Sequence, residues 1–275
     1  MTLKIFFRAN ESAKSAGSIN ADITKENFRY KNYTKKDILK AVWLSVNNGG
    51  VTDDDHITIF VDAVSSETIE WMLKTVKTKN VQIKEVPPLD TCPPFETHPF
   101  PHLHPIRINC SKTLFEIFYA EIEKGKEEDI FYLCEDDYLH RPSVISCIKN
   151  LYENGYRGFF LPYDYPDRYT IDKGRQCDVV LGPTCHLRSV PSATFTMMAD
   201  QETWLNYKLE ALRGSVFCDD SWTWKAFKQT NAFCPIPGWA CHFQEGYISP
   251  YIDWDTIFAE AMYIDDPYWK NHALL

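Results

Sequence analysis

The sequence has no CxxC pair, no uncharged apolar run of about 18 residues, no basic excess and no glycine-rich loop after its first apolar stretch. Each absence removes a class of protein. Without CxxC pairs nothing suggests a structural zinc ribbon. Without a long apolar run nothing suggests a bilayer-spanning helix, and the apolar part of the opening MTLKIFFRAN is too short for a signal peptide. With 29 Lys and Arg against 38 Asp and Glu, the formal net charge is −9 and the pI ≈ 5.4. A general nucleic-acid binder, which needs basic patches to meet phosphates, is therefore not expected. The nine cysteines are odd in number and scattered through apolar segments such as that of Cys134, the pattern of reduced, buried thiols and not of a disulfide framework. A cytoplasmic protein is expected. No internal repeat, low-complexity segment or clear domain boundary interrupts the chain.

What is present is enough apolar material for a large core: 275 residues, 44% hydrophobic and 15% aromatic. Periodicity predicts strands at Leu3–Arg8, Ile57–Val61 and Val81–Val86, alternating with helices at Lys36–Val46 and from Ser66 to about Thr78. Ile38, Leu39, Val42 and Val46 mark the apolar face of the first helix, and Asn47-Asn48-Gly49-Gly50 its stop. Such β-α-β-α-β alternation predicts a mainly parallel, Rossmann-like α/β sheet with helices on both faces. Pro87 to Pro105 breaks the rhythm with seven prolines. It reads as an irregular connection and a poor rigid frame for its three histidines, His98, His102 and His104. A helical pattern resumes at Ser111, with Leu114, Phe115, Phe118 and Ile122. Later stretches predict a helix at Ser143–Glu153 with Pro142 in its first turn, a strand at Gly158–Pro162 and a polar loop at Tyr163–Cys177. Short strands at Val179–Leu181 and Ala193–Met198 and a helix at Gln201–Leu212 follow.

Three constellations carry chemistry. The first is IFYLCEDDYLHRP, an apolar strand that ends abruptly in Glu135, Asp136 and Asp137. If extended backbone continued through the triplet, Glu135 and Asp137 would share one face and Asp136 the other. Two acids on one side can share Mg²⁺ or Mn²⁺ and leave positions for substrate phosphates; a solvated acidic turn is the bland alternative. The second is CDDSWTW, where Asp219 or Asp220 precedes a helical stretch beside Trp222 and Trp224. A partly apolar setting can tune such a carboxylate into a general base, while an N-cap explains it without catalysis. The tryptophans read more readily as core than as sugar platforms. The third is PGWACHFQEG, with His242 on a strand-like segment, either a satisfied buried histidine or a ligand coupled to the acids.

Taken in order, a β-α-β-α-β start, an acid-tipped strand, Asp-Asp opening a helix and a histidine toward the C-terminus resemble the GT-A-fold, DxD-type glycosyltransferases, over roughly residues 2 to 245. The resemblance implies one GT-A-like domain, with about 1–140 binding a nucleotide-sugar and about 141–275, including a smaller antiparallel or mixed portion, binding the acceptor. It implies that Asp137 binds Mn²⁺ or Mg²⁺, that His242 completes the coordination, and that Glu135 meets the ribose or a metal-bound water. Glu stands where the family often has Asp. Arg8, Ala9, Asp62 and Asp136 fall in the nucleotide pocket, and Asp220, or failing that Asp219, is the base of an inverting hexosyl- or pentosyltransferase. The donor would be a UDP- or GDP-sugar, and the acceptor a glycan, lipid-linked sugar or glycoprotein. The rival readings are a nucleotidyltransferase acting on sugar phosphates, weakened by the lack of a glycine-rich basic phosphate loop in RANESAKSAGS, and a non-catalytic carbohydrate-binding protein.

Overall fold

The computed structural model describes residues 1–11, 33–85, 113–114, 116–169, 177–217 and 221–263. The first half follows the predicted alternation: β1 (Leu3–Asn10), α1 (Lys35–Asn47), β2 (His56–Asp62), α2 (Ser66–Thr75) and β3 (Val81–Glu85). A capping box fixes the start of α1, in which Asp37 N–H donates to the Thr34 hydroxyl and Thr34 N–H to the Asp37 carboxylate. Ser65 caps α2 through Thr68 N–H. A π-helix (Ile117–Ile122) then leads to the acid-tipped strand β4 (Ile130–Glu135). The expected helix was α-helical; Ser111 and Phe115, part of the same expectation, lie outside the described residues.

The strand does not continue through the acids. Asp136 and Asp137 form a turn, and β5 (Tyr138–His140) leaves the main sheet to pair antiparallel with β11 (Ala240–His242), placing Tyr138 opposite His242. Between them the chain forms α3 (Val144–Glu153), β6 (Phe159–Phe160), a 3-10 turn (Pro166–Tyr169), β7 (Val179–Leu181), β8 (His186–Ser189) and β9 (Met197–Asp200). Next come α4 (Gln201–Asn206), α5 (Lys208–Phe217), α6 (Ser221–Ala226) and β10 (Ala232–Ile236), and α7 (Trp254–Tyr263) follows β11. Pro142 precedes α3 by two residues and so does not sit in its first turn, because Ser143 adopts a left-handed conformation (φ 64) before the helix begins. The single expected helix at Gln201–Leu212 is two, broken at Tyr207. The strand expected at Ala193–Met198 starts later, at Met197. The two-residue β6 is shorter than the expected Gly158–Pro162.

The main sheet has nine strands in the order β3-β2-β1-β4-β9-β6-β10-β8-β7. β3, β2, β1 and β4 are mutually parallel, and β9 joins β4 antiparallel to start a mixed half. Strand alternation divides the core. Ile5, Phe7 and Ala9, Ile59 and Val61, and Tyr132 and Cys134 face the layer that contains α1, α3 and α7. Phe6, Phe60, Phe131 and Leu133 face the layer with the π-helix, α4 and α6. Burying both faces suits a near-continuous apolar run, which is what β4 presents up to Cys134. The chain leaves the sheet where the carboxylates begin. No helix among the described residues is long and apolar enough to cross a membrane.

Candidate active site at the carboxyl edge of the parallel strands

Register and strand period bring the first group of side chains together. Arg8 pairs in register with Glu135 and Asn10 with Asp62. By period two, Arg8, Asp62 and Glu135 point to the same side as Phe6, Phe60 and Leu133. Three chemically active residues therefore end three adjacent parallel strands on one face, where open α/β sheets hold ligands. Beneath them lies a small apolar pocket of ≈ 50 Å³ lined by Phe6, Phe60, Leu133, Phe195, Arg8 and Glu135 among others. It holds on the order of a few waters, so a larger ligand would lie across its mouth. Ala9 is fully buried on the opposite side, in the core with α1, so only its backbone could meet a ligand expected there.

Each acid of the triplet has its own protein partner. The Arg8 guanidinium is 3.8 Å from Glu135 Oε1, and the Thr196 hydroxyl donates to Glu135 Oε2 at 3.2 Å. Burial and the neighbouring Asp137 push the Glu135 carboxyl above its ordinary range, against the pull of Arg8. Asp136 is turned to the α1 side, as the alternation argument required. Its Oδ2 accepts Asn10 N–H at 2.6 Å and its Oδ1 meets Lys35 Nζ at 2.5 Å. Only 7% exposed and with both oxygens engaged, it clamps the turn to the end of β1 and the start of α1. It is not turned toward the pocket that holds Arg8 and Glu135. Burial raises its carboxyl from the ordinary value while Lys35 opposes the change.

Asp137 and His242 come together across the small sheet. Phe243 N–H donates to the Asp137 carbonyl at 2.7 Å, which extends the β5–β11 pairing and sets His242 Nε2 3.4 Å from Asp137 Oδ2. Burial disfavours the Asp137 carboxylate, but His242 and Lys35 outweigh it and hold its pKa below the usual carboxylate range. His242 stacks on Tyr138 with centroids 4.6 Å apart and on Tyr247 at 5.1 Å. Its Nδ1 is buried without a hydrogen-bond partner among the described residues.

A carboxylate and an imidazole this close are suitable donors for Mn²⁺ or Mg²⁺. Glu135 is drawn toward Arg8 and Thr196, and among the described residues no three His, Cys, Asp or Glu side chains form a ready-made cage. The pair fits a cation that takes its remaining ligands from substrate oxygens.

The other expected residues divide plainly. Asp62 closes β2 within reach of the Asn10 amide, which donates to it at 3.5 Å. Asp219 and Asp220 lie outside the described residues, as do His98, His102 and His104. Trp222 is core, 8% exposed and edge-on to Phe159. Sequence reasoning missed Lys35, Thr196 and the tyrosines 138, 163, 165 and 247 around His242. Tyr138 directly follows the triplet and could have been found; the rest meet only through the fold.

No protein-family model matches the sequence, and no curated protein matches it. Among solved structures, S. aureus TarS 1-349 aligns with 96% of this chain at 8% identity and a TM-score of 0.47, and this chain spans 66% of that one. The same TarS fragment in complex with UDP gives 0.46 at 8% identity over 85% of this chain, which spans 57% of it. The galactosyltransferase LgtC, in complex with donor and acceptor sugar analogues, aligns with 84% of this chain at 11% identity and a TM-score of 0.41, covering 72% of LgtC. Mouse xyloside xylosyltransferase 1 aligns with 96% at 10% identity and 0.37, covering 82% of that chain.

Proposed function

We propose that this chain is a nucleotide-sugar-dependent glycosyltransferase of the GT-A type, assisted by a divalent cation and inverting at the anomeric carbon. The observation that carries the reading is the convergence of Arg8, Asp62 and Glu135 on one face of the parallel edge with the Asp137–His242 pair beside them. In this reading residues of about 1–140 hold the donor and residues of about 141–275 the acceptor. Asp62 and Glu135 accept hydrogen bonds from ribose hydroxyls, and Arg8 offsets negative charge on the nucleotide. Asp137 and His242 would hold a Mn²⁺ or Mg²⁺ ion, which would supply charge neutralisation for the diphosphate. Ser215 lines the pocket that contains Arg8 and Glu135, and Asp219 and Asp220 follow it closely in sequence. Asp220, or Asp219, takes the proton from an acceptor hydroxyl as that oxygen bonds to the anomeric carbon; the sugar–phosphate bond breaks and its electron pair leaves on the nucleotide.

The test is nucleotide release from UDP-glucose, UDP-galactose, UDP-GlcNAc and GDP-mannose, with and without Mn²⁺ or Mg²⁺, alongside calorimetry of UDP binding. Wild type should release nucleotide with the metal present. Asp137→Ala should lose both nucleotide affinity and turnover, and Asp220→Asn should bind UDP but turn over roughly 10²–10⁴-fold more slowly. Equal activity in all three proteins, or a wild type that neither binds nor cleaves any of these donors, overturns the assignment.

A further inference from the structure

Two segments run side by side next to His242, and both carry tyrosines. One is residues 163–169 after β6 and the other residues 247–251 after β11. Ser249 joins them, its hydroxyl donating to the Asp164 carbonyl at 2.6 Å. Around that joint the rings pair off: Tyr165 packs on Tyr247 at 5.7 Å and Tyr169 on Tyr251 at 5.4 Å. The first pair adjoins the candidate site, since Tyr165 and Tyr247 lie 6.3 and 5.1 Å from the His242 ring. Exposure rises outward, from Tyr138 at 1% to Tyr247 at 44% and Tyr251 at 81%.

The backing of these rings is rigid. Asp164 is fully buried, ion-paired with Arg188 and bonded by the Tyr169 hydroxyl. The Tyr165 hydroxyl shares a 2.9 Å hydrogen bond with that of Tyr138. Tyr251 adopts φ 69, a left-handed conformation that a bulky residue rarely takes. It gains almost no burial in return. Strain of this kind clusters at ligand-contacting surfaces.

The chemistry of the segment selects the occupant. Between Gln244 and Tyr251 the exposed residues are Glu245, Gly246, Tyr247 and Tyr251, while Ile248 packs against the core. No aliphatic side chain is exposed there to meet a lipid or an apolar protein face. Arg168 sits with its guanidinium 5.7 Å from the Tyr165 ring centroid and donates inward to the Ser192 carbonyl and Cys234 Sγ, so it braces the backing ring. Flat rings with polar tips match a pyranose, which offers a C–H face for stacking and hydroxyls for hydrogen bonds. We propose that Tyr247 and Tyr251, backed by Tyr165 and Tyr169, form a stacking platform for pyranose rings of a glycan acceptor. The role as acceptor rests on the glycosyltransferase reading; the carbohydrate platform itself does not.

The probes are maltotetraose, cellotetraose and chitotetraose, with binding read by saturation-transfer NMR and by titration of intrinsic fluorescence. Wild type should bind at least one. Tyr247→Ala and Tyr251→Ala should weaken that binding roughly tenfold each, and Tyr247→Phe should keep it within about threefold, since the ring supplies most of the contact. Tyr251→Gly, which relieves the left-handed strain, should lose binding without a lower melting temperature. Binding by the alanine variants equal to wild type, or no binding of any probe by wild type, overturns the platform. UDP binding by the wild type reports on the donor reading separately: sugar binding without UDP binding leaves the platform standing and removes the glycosyltransferase.

Discussion

Two acid–base pairs of this molecule are built in opposite ways. Asp164 and Arg188 are nearly sealed, with side chains 0% and 8% exposed, and Asp164 also receives the Tyr169 hydroxyl and the Cys234 thiol. Asp137 and His242 remain partly open at 33% and 15%, 3.4 Å apart. Each pair has one buried nitrogen, Arg188 Nε and His242 Nδ1, without a hydrogen-bond partner among the described residues. A sealed pair whose acceptor is saturated has little capacity left for a ligand, and its buried charges depend on one another and on the hydrogen bonds around them. An open, loosely engaged pair gives up little when a substrate or cation replaces its contact. The difference is what the proposed function asks of the two acids: Asp164 as scaffold and Asp137 as a residue free to meet a ligand.

The largest expected effect sharpens that contrast. Asp164→Ala leaves the Arg188 guanidinium buried without its counter-charge and should cost roughly 3–5 kcal/mol in denaturant unfolding. Asp137→Ala should change unfolding by no more than about 1 kcal/mol, as partly exposed pairs do. Comparable destabilisation by the two variants would erase the distinction between scaffold and site.

How far these roles were legible in the sequence follows from what each depends on. The parallel half was readable because β1, β2 and β4 are predominantly apolar runs whose burial on both faces leaves one reading, and because local caps such as Thr34 and Ser65 fix the helix starts. The mixed half was readable only in part. β7 was expected at its observed bounds and strands were expected over β6 and β9 with longer bounds, while β8 and β10, of four and five residues, went unread. The same logic governs the site. Glu135, Asp137 and His242 announce themselves by residue type at strand ends. Lys35 reaches Asp136 from 101 positions away and Thr196 reaches Glu135 from 61, distances over which no local pattern exists. The triplet itself shows where inference from period works and fails. The strand stopped two residues earlier than extended geometry assumed, yet Asp136 still faces away from Glu135, because the α1 side offers Lys35 and the Asn10 backbone N–H.

A smaller effect separates a third histidine arrangement from His242. His140, 1% exposed, shares a hydrogen bond with the Tyr132 hydroxyl, and burial dominates its surroundings. Burial pushes its pKa down from 6.5 to about 3. The folded value lies below the unfolded one, so the unfolded chain binds the extra proton between those limits, and stability falls as pH drops through that window. The His140 contribution should be a loss of about 1 kcal/mol at pH 5.5 relative to neutral pH. Denaturant midpoints against pH, compared between wild type and His140→Gln, measure it, and an unchanged slope in the variant would assign the acid sensitivity elsewhere.

The smallest effect tests a case between the sealed and the open pair. Lys35 and Asp136 are 13% and 10% exposed, closer to the Asp164–Arg188 arrangement by burial. Unlike Asp164, however, Asp136 has a second anchor in a backbone N–H, which no side-chain substitution removes. Lys35→Met keeps the apolar stem against the sheet and deletes the charge, leaving Asp136 with Asn10 N–H alone. Since that carboxyl is already raised by burial, protonating it is an available escape from the uncompensated charge, which Arg188 does not have. The loss should therefore be about 1 kcal/mol, well under that of Asp164→Ala. Its functional signature should exceed its stability signature, because the turn that Asp136 clamps is the one that carries Asp137: UDP affinity in the presence of Mn²⁺ should fall several-fold while unfolding barely moves. A Lys35→Met protein as unstable as Asp164→Ala but with unchanged nucleotide affinity would place Asp136 with the scaffold.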